Sequence, residues 1–192
     1  MPPLTERNHL IRAQHVTASE VGALLGEHPY TTPEAIWDRL MERGPEREPP
    51  SQSMRLGSYM EGPILRWYAQ EKGVRVKANS RSLVHRTVRL CATPDAYIVG
   101  GGLVEVKLSG RTDLWARTPP DYVIWQAMAQ LAVTNRDYCD IAVLIGATFR
   151  IHTVYRDPLA EVMMTEAVTA FWDDHIRMGR RPEPTTREVV LR

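Results

Sequence analysis

The sequence predicts an α/β fold in which helices flank a central mixed sheet of about five strands. Segments with helical periodicity lie in the first third of the chain and again after residues 120 and 157, and short apolar runs of strand length lie between them. The stretch 93–107, TPDAYIVGGGLVEVK, places two apolar runs on either side of three consecutive glycines. This pattern predicts a hairpin whose second strand, carrying Glu105 and Lys107, lies at the centre of the sheet.

Length and composition favour one domain. The chain has 192 residues and no break in composition, so we expect a single domain over 1–192, with its core at about 12–178 and a flexible tail over 179–192. It lacks a run of about 18 apolar residues and the apolar core of a signal peptide, which predicts a cytoplasmic protein with no membrane association. The formal net charge of +1 gives no general attraction to nucleic acid, so DNA binding must come from a local patch.

The cysteines and lysines of this chain are few. Cys91 and Cys139 lie in separate apolar runs, which predicts buried free thiols and excludes a four-cysteine iron-sulfur module. Most basic residues are arginines, and Lys107 is one of only three lysines. A compact, titratable ammonium at this position indicates chemistry that a guanidinium cannot perform.

Two helices are expected before residue 45. The first begins at a capping box, Thr17-Ala18-Ser19-Glu20, and ends at Gly26. The second has Pro33 in its first turn and ends at Gly44.

A third helix is expected from about Met54 to Lys72, because Gly73 can end it and Pro45–Ser53 has the composition of a loop. Pro63 is expected to bend this helix. The apolar side chains that recur at helical spacing and should face the core are Met60, Ile64, Trp67 and Tyr68.

Strands and two further helices complete the prediction. The expected strands besides the hairpin are Val74–Val76, Ser82–His85, Val88–Ala92, Cys139–Ile145 and Phe149–Val154. One helix is expected from Asp121 to about Thr134. A final helix should start at Asp157-Pro158 and end at Gly179.

The hairpin carries the residues that indicate chemistry. Glu105 and Lys107 are two apart in a strand, so both side chains project from one face while Val104 and Val106 pack on the other. The hairpin folds Asp95 back beside them. Two carboxylates and an ammonium would then converge among apolar positions, which costs stability unless a divalent metal compensates.

The helix predicted over 121–134 is apolar around most of its circumference and should be buried. Tyr122, Gln126 and Gln130 nevertheless form one polar stripe along it. Buried amides need hydrogen-bond partners. The stripe therefore either bonds to a loop or lines the same cleft as the carboxylates.

Arg12 and Glu61 each have two interpretations. Arg12 lies just before a helix N-terminus, where it is either a surface charge or part of an anion site with the free N–H groups. Glu61 lies beside the apolar stripe of the third helix. It is either an exposed carboxylate or, if that helix packs against the Asp95 cluster, a further acidic group of the site.

This set of residues suits a hard divalent cation. Carboxylate and carbonyl oxygens favour Mg²⁺ or Mn²⁺, whereas Zn²⁺ prefers nitrogen and sulfur, and the histidines are scattered. A metal held by Asp95 and Glu105 would act as a Lewis acid on a phosphoryl oxygen, and Lys107 would orient a water molecule. Glu61 could complete the coordination of a second metal. These roles indicate phosphodiester hydrolysis.

The order of these motifs resembles the YqaJ and lambda-exonuclease group of phage-type alkaline exonucleases, within the PD-(D/E)xK nuclease superfamily. The resemblance extends from about Arg12 to Leu131. The motifs that carry it are Arg12 upstream of Val16-Thr17-Ala18-Ser19-Glu20, Gly57 with Glu61, Thr93-Pro94-Asp95, Glu105-Val106-Lys107, and Tyr122 with Gln126 and Gln130.

The resemblance implies a PD-(D/E)xK core and an enzyme that degrades one strand of linear duplex DNA in the 5′ to 3′ direction. Two Mg²⁺ or Mn²⁺ ions would be held by Asp95, Glu105 and the carbonyl of Val106. Glu61 would lie near the second ion and Lys107 beside the nucleophilic water, with Gln126 also in the catalytic group. The residues implied for binding the 5′-phosphate and DNA are Arg12, Ser19, Thr93, Gln126, Tyr122 and Gln130. It further implies a homo-oligomeric ring, a trimer, and a single-strand annealing partner in phage-type recombination within a bacterial host.

The chain also departs from the family pattern. Some relatives carry a tryptophan where this chain has Asn8, and the family's other basic contacts cannot be placed in the variable region 29–50. Both departures concern recognition of the DNA end and not the metal chemistry. The alternatives left open are an endonuclease, nicking enzyme or end processor of the same superfamily, a non-catalytic DNA-end-binding accessory, and a purely structural pairing of carboxylate and lysine.

Overall fold

The computed structural model describes residues 5–42 and 51–185. Its helices are α1 (Glu6–Ala13), α2 (Val21–Leu24), α3 (Pro33–Leu40), α4 (Gln52–Lys72), α5 (Asp121–Thr134) and α6 (Pro158–Phe171). Its strands are β1 (Val16–Thr17), β2 (Val76–Ala78), β3 (Leu83–Val84), β4 (Leu90–Ala92), β5 (Ala96–Ile98), β6 (Leu103–Ser109), β7 (Tyr138–Ile145) and β8 (Thr148–Tyr155). Within these two ranges, none of the helices has both the length and the hydropathy that a membrane span requires.

A five-stranded mixed sheet confirms the predicted fold class. Its strand order is β2-β5-β6-β7-β8, with β6 in the centre. Strand β6 is antiparallel to β5 and parallel to β7. A second, three-stranded sheet of order β1-β4-β3 lies beside it, and the sequence did not predict this sheet.

Helices α4 and α5 cover opposite faces of the large sheet. Ile64 and Tyr68 of α4 pack with Val104 and Val106, as predicted. Trp67 was expected to face the core, but it is 40% exposed. It stacks on Phe149 with the ring centroids 4.6 Å apart, because it lies on the part of α4 that faces the β8 edge of the sheet.

The helix boundaries follow local capping chemistry. Helix α5 has the predicted limits, and α4 ends where Gly73 adopts a left-handed conformation. Helix α4 begins at Gln52, two residues earlier than predicted, because the side chain of Ser51 accepts a hydrogen bond from the backbone N–H of Met54. It continues without a break through Pro63. The predicted stop at Gly44 and most of the loop 45–53 lie outside the described residues.

The segment between α1 and α2 is fixed by an ion pair. The predicted capping box is present, with Thr17 N–H donating to the Glu20 carboxylate at 2.8 Å. Arg39 of α3 donates to both oxygens of Glu20 and to the backbone carbonyls of Arg12 and His15. These contacts hold the strip 12–20 against α3.

The C-terminal segment contacts α3 as far as it is described. Arg181 pairs with Asp38 at 2.7 Å, and Thr185 bonds to Glu34. Helix α6 ends at Phe171 and continues as a π turn to residue 176, before Gly179 adopts a positive φ. Residues 186–192 of the predicted tail lie outside the described part of the chain.

Candidate active site

The β5–β6 hairpin aligns Asp95 with Glu105. Gly100 has a φ of 87°, a conformation that glycine adopts without strain. The ladder pairs Ala96 with Val104, so one more step along an antiparallel register places Asp95 opposite Glu105. The predicted return of Asp95 beside the Glu-x-Lys strand is therefore present in the structure.

The backbone of Val106 is open on the side facing β5. The Asp95 carboxylate accepts a hydrogen bond from Val106 N–H at 2.7 Å. By continuation of the register, Pro94 lies opposite Val106, and proline has no N–H to donate to the Val106 carbonyl. The Pro94-Asp95 motif thus leaves the backbone carbonyl oxygen of Val106 next to the Asp95 carboxylate.

Helix α5 supplies the partners of Glu105. Glu105 is 4% exposed, and its two carboxylate oxygens accept from the side-chain amides of Gln126 and Gln130, each at 2.6 Å. Lys107 Nζ lies 2.8 Å from Glu105 Oε1 and donates to Gln126 Oε1 at 2.9 Å. The polar stripe of α5 was expected either to bond to a loop or to line the same cleft as the carboxylates. The structure supports the second interpretation.

Negative charge exceeds positive charge in this cluster. Burial and the charge of Glu105 raise the pKa of Asp95 well above its ordinary value. Burial, together with Glu105, also raises the pKa of Glu61. Burial alone would lower the pKa of Lys107, but Glu105 and Asp95 outweigh it and raise that pKa. Asp95 and Glu105 therefore share one lysine, and a further cation would relieve their repulsion.

The oxygen donors present fit a hard divalent cation. They are the carboxylates of Asp95 and Glu105 and the carbonyl of Val106, the residue that follows Glu105 in the chain. No group of three metal-ligating side chains is already assembled within the described residues. Both oxygens of Glu105 are held by Gln126, Gln130 and Lys107, so metal binding requires these contacts to rearrange.

Two clefts meet at Lys107 and Leu108. One, of 560 Å³, lies against the first half of α4 and is lined by Glu61 and Tyr59 among others. The other, of 420 Å³, lies toward the loop after β6 and reaches Tyr122. Glu61 therefore lines the cleft that contains Lys107, as predicted for a helix packed beside the cluster.

Arg12, Ser19 and Thr93 lie at the small sheet. Strands β1 and β4 pair in parallel, with Thr17 beside Cys91, so Ser19 and Thr93 each follow the C-terminal end of a neighbouring strand. Thr93 Oγ1 lies 2.8 Å from Ser82 Oγ. Within the described residues the guanidinium of Arg12 makes no ion pair or hydrogen bond.

The predicted DNA contacts on α5 have different surroundings. Tyr122 packs against His28 and Tyr30, with ring centroids 4.9 and 5.9 Å away. Gln130 is 1% exposed and bonded to Glu105. The structure places Gln130 against Glu105 and away from solvent, which does not support the expected contact with DNA.

A family model, the YqaJ-like viral recombinase domain, matches residues 9–137, two thirds of the chain. The chain belongs to this family. The matched range of the YqaJ-like domain includes every predicted site residue, from Arg12 to Gln130. No curated protein matches the chain.

Solved structures share the fold of this YqaJ-like protein. An alkaline exonuclease from Laribacter hongkongensis, LHK-Exo, is 20% identical, with a TM-score of 0.71 over 91% of this chain and 94% of that one. Its complex with dAMP gives a TM-score of 0.75 with the same identity and coverage. A phage-related exonuclease from Haemophilus somnus is 13% identical, with a TM-score of 0.64 over 88% of this chain and 99% of that one.

Sequence reasoning missed a structural role for Asn8 in the YqaJ-like domain. Asn8 is 4% exposed. Its side chain donates to the Ser80 carbonyl and accepts from Ser82 N–H at 3.0 Å. Asn8, at which the chain departs from some relatives, thus connects α1 to the segment of Ser80 and Ser82. Ser82 in turn is hydrogen-bonded to Thr93. The hydrogen-bond partners of Asn8 are more than 70 residues away in the sequence, so no local sequence pattern could predict them.

Proposed function

We propose that this protein is an exonuclease that uses Mg²⁺ or Mn²⁺, at two sites, to degrade one strand of linear duplex DNA in the 5′ to 3′ direction. The main support is the convergence of Asp95, Glu105 and Lys107 at the centre of the sheet, with more negative charge than the lysine balances. Family membership and the fold shared with exonucleases, one of them in complex with dAMP, add support. We assign this activity to the domain over about 12–178.

The proposed chemistry assigns each residue a task. Asp95, Glu105 and the carbonyl of Val106 would hold one cation, with Glu61 toward the second. Such a cation supplies Lewis acidity at a phosphoryl oxygen and lowers the pKa of water. Without a bound cation, Glu105 and Asp95 raise the pKa of Lys107. In its protonated form this residue would orient the attacking water and offset charge on phosphorus.

Helix α5 acts by positioning. Gln126 accepts from Lys107 while it donates to Glu105, so one amide fixes the relative placement of both groups. Gln130 holds the other oxygen of Glu105 from the buried side. We propose that Gln126 also lies beside the bound phosphate, whereas Gln130 acts only through Glu105.

An assay on labelled DNA tests this proposal. Linear duplex carrying a 5′-phosphate, labelled on either the 5′ or the 3′ end of one strand, is incubated with the protein and Mg²⁺. We expect early release of the 5′ label, retention of the 3′ label until late, no cleavage of covalently closed circles, and no reaction in EDTA. Cleavage of the circle would indicate an endonuclease instead. Absence of nucleotide release in Mg²⁺ or Mn²⁺ would refute an exonuclease.

A second assay tests the proposed 5′-phosphate pocket. Arg12, Ser19 and Thr93 would bind the terminal phosphate, so a 5′-hydroxyl end should be digested several-fold more slowly than a 5′-phosphate end. Arg12→Gln should abolish that difference. Arg7→Gln, which removes an exposed arginine from the same helix, is the matched control and should preserve it. Equal rates on both ends in the unaltered protein would refute the pocket.

The proposed assembly and partner rest on family resemblance. We propose a homo-oligomeric ring, with three copies as the expected number, that works with a single-strand annealing protein in recombination. Sedimentation of the purified protein tests the first point. A monomer at micromolar concentration would contradict it.

A further inference from the structure

A groove outside the candidate active site runs along the β2 edge of the large sheet. We name it the β2–β5 groove. It has a volume of 670 Å³, and its lining includes Lys77, Asn79, Arg81, Tyr97, Val99 and Arg136. The whole lining contains three cations and no carboxylate, in a chain whose formal net charge is only +1. The groove is therefore a local positive patch.

The three cations of this groove differ from the five arginines of the described chain that form ion pairs. The arginines that form ion pairs are Arg39, Arg111, Arg156, Arg177 and Arg181. Lys77, Arg81 and Arg136 have no ion pair within the described residues. Arg136 donates to the Gly101 carbonyl and lies 5.8 Å from the ring centroid of Tyr97, contacts that fix its position but leave its charge uncompensated.

The β2–β5 groove adjoins the site through Asn79. Backbone N–H of Asn79 donates to the carbonyl of Asp95 at 2.8 Å, and its side-chain amide donates to the carbonyl of Pro94 at 2.9 Å. Asn79 is itself part of the groove wall. The wall of the groove is therefore bonded directly to the segment that presents Asp95.

The shape and chemistry of the groove fit one nucleic acid strand. Its lining combines three cations with apolar and aromatic side chains, including Tyr97 and Val99, which suits a sugar-phosphate backbone with partly unstacked bases. Its volume is that of a site for a small ligand and admits a few nucleotides of one strand, not a duplex.

We propose that the β2–β5 groove binds the phosphate backbone of single-stranded DNA through Lys77, Arg81 and Arg136. The bound strand is the complement that remains when its partner is digested. That identity rests on the proposed exonuclease function, whereas the binding itself does not. The groove would hold the product strand beside the site and keep it from re-entering the cleft at Lys107.

Binding of a labelled oligothymidylate tests the groove. Fluorescence anisotropy is measured in EDTA, which prevents digestion, over a series of salt concentrations. Lys77→Gln/Arg81→Gln should raise the Kd roughly tenfold at 0.1 M salt and reduce the slope of log Kd against log salt by about 1.4, the value for two lost phosphate contacts on a single strand. The matched control Arg86→Gln/Arg180→Gln removes two exposed charges outside the groove and should leave both quantities unchanged.

Three outcomes would overturn the proposal. The first is an equal loss of affinity in the two double variants, and the second is no loss in either. The third is an oligoglutamate peptide that binds in a groove-dependent manner while oligothymidylate does not, since the groove would then recognise an acidic peptide. Failure of the exonuclease is distinguishable, because unaltered protein that cannot digest duplex but shows the predicted slope change would refute the activity and retain the groove.

Discussion

Two buried carboxylates on adjacent strands of one sheet have opposite surroundings. Asp140 of β7 pairs in register with Val104, one residue from Glu105, so the two acids project from opposite faces. Asp140 accepts hydroxyl hydrogen bonds from Tyr68 and Thr153, each at 2.6 Å.

The difference lies in charge balance and not in burial. Asp140 and Glu105 are 1% and 4% exposed. Asp140 has neutral hydroxyl donors on both oxygens and Lys72 at 3.4 Å, so it is satisfied by the protein alone. Glu105 shares Lys107 with Asp95, whose pKa it raises. A buried acid thus suggests a site when it opposes a second acid, and a structural role when its donors are complete.

The largest expected effect is on catalysis. Glu105→Gln preserves the size of the side chain but removes its charge, so the site should lose several kcal/mol of transition-state stabilisation, or roughly 10³-fold in rate. Asp140→Asn should leave the rate on linear duplex within about twofold wherever the protein is folded, because Asp140 lies on the other face of the sheet. Rates from matched nuclease assays check this, and similar losses in both variants would erase the distinction.

The next effect is on stability. Asp140→Asn replaces the shared acceptor of two hydroxyl groups, and we expect a loss of about 2 kcal/mol in the free energy of unfolding. Urea denaturation measures it. A change below the error of the extrapolation would mean that Asp140 contributes nothing to the fold.

The smallest expected effect is a change in pH dependence. Burial and the hydrogen bond to Asp140 raise the pKa of Tyr68 above its ordinary value of 10.0. Above pH 10 the unfolded chain loses this proton while the folded chain keeps it, so the folded state binds more protons and its stability falls as pH rises. Tyr68→Phe should flatten that decline. Denaturation midpoints of the unaltered protein and of Tyr68→Phe between about pH 9 and 11 give the slope of stability against pH for each. Equal slopes would mean that Tyr68 does not contribute to the pH dependence of stability.

Local sequence patterns predicted the cluster around Glu105 but not the cluster around Asp140. The two-residue period of a strand put Glu105 and Lys107 on one face, and capping residues set the limits of α5 and the end of α4. Asp140 gave no such signal, because its partner Tyr68 is 72 residues away. Distant pairings are set by how the helices pack on the sheet.

The same limit explains the other discrepancies. Trp67 follows the helical period of its neighbours, but the width of the sheet, which the sequence does not reveal, decides whether that face of α4 is covered. Asn8 contacts the segment of Ser80 and Ser82, which is distant in sequence. The small sheet of β1, β4 and β3 went unpredicted as a unit because its strands are only two or three residues long.

Divalent-cation binding tests the central claim that the Asp95 and Glu105 cluster requires a cation and the Asp140 cluster does not. Thermal unfolding of the unaltered protein, Asp95→Asn and Asp140→Asn is measured in EDTA and in Mg²⁺ or Mn²⁺. A cation present at 100 times its Kd adds about 2.7 kcal/mol to the stability of a protein that binds it only when folded. We expect the unaltered protein and Asp140→Asn to gain stability with metal, and Asp95→Asn to gain none. An equal gain in Asp95→Asn, or no gain in the unaltered protein, would contradict the account.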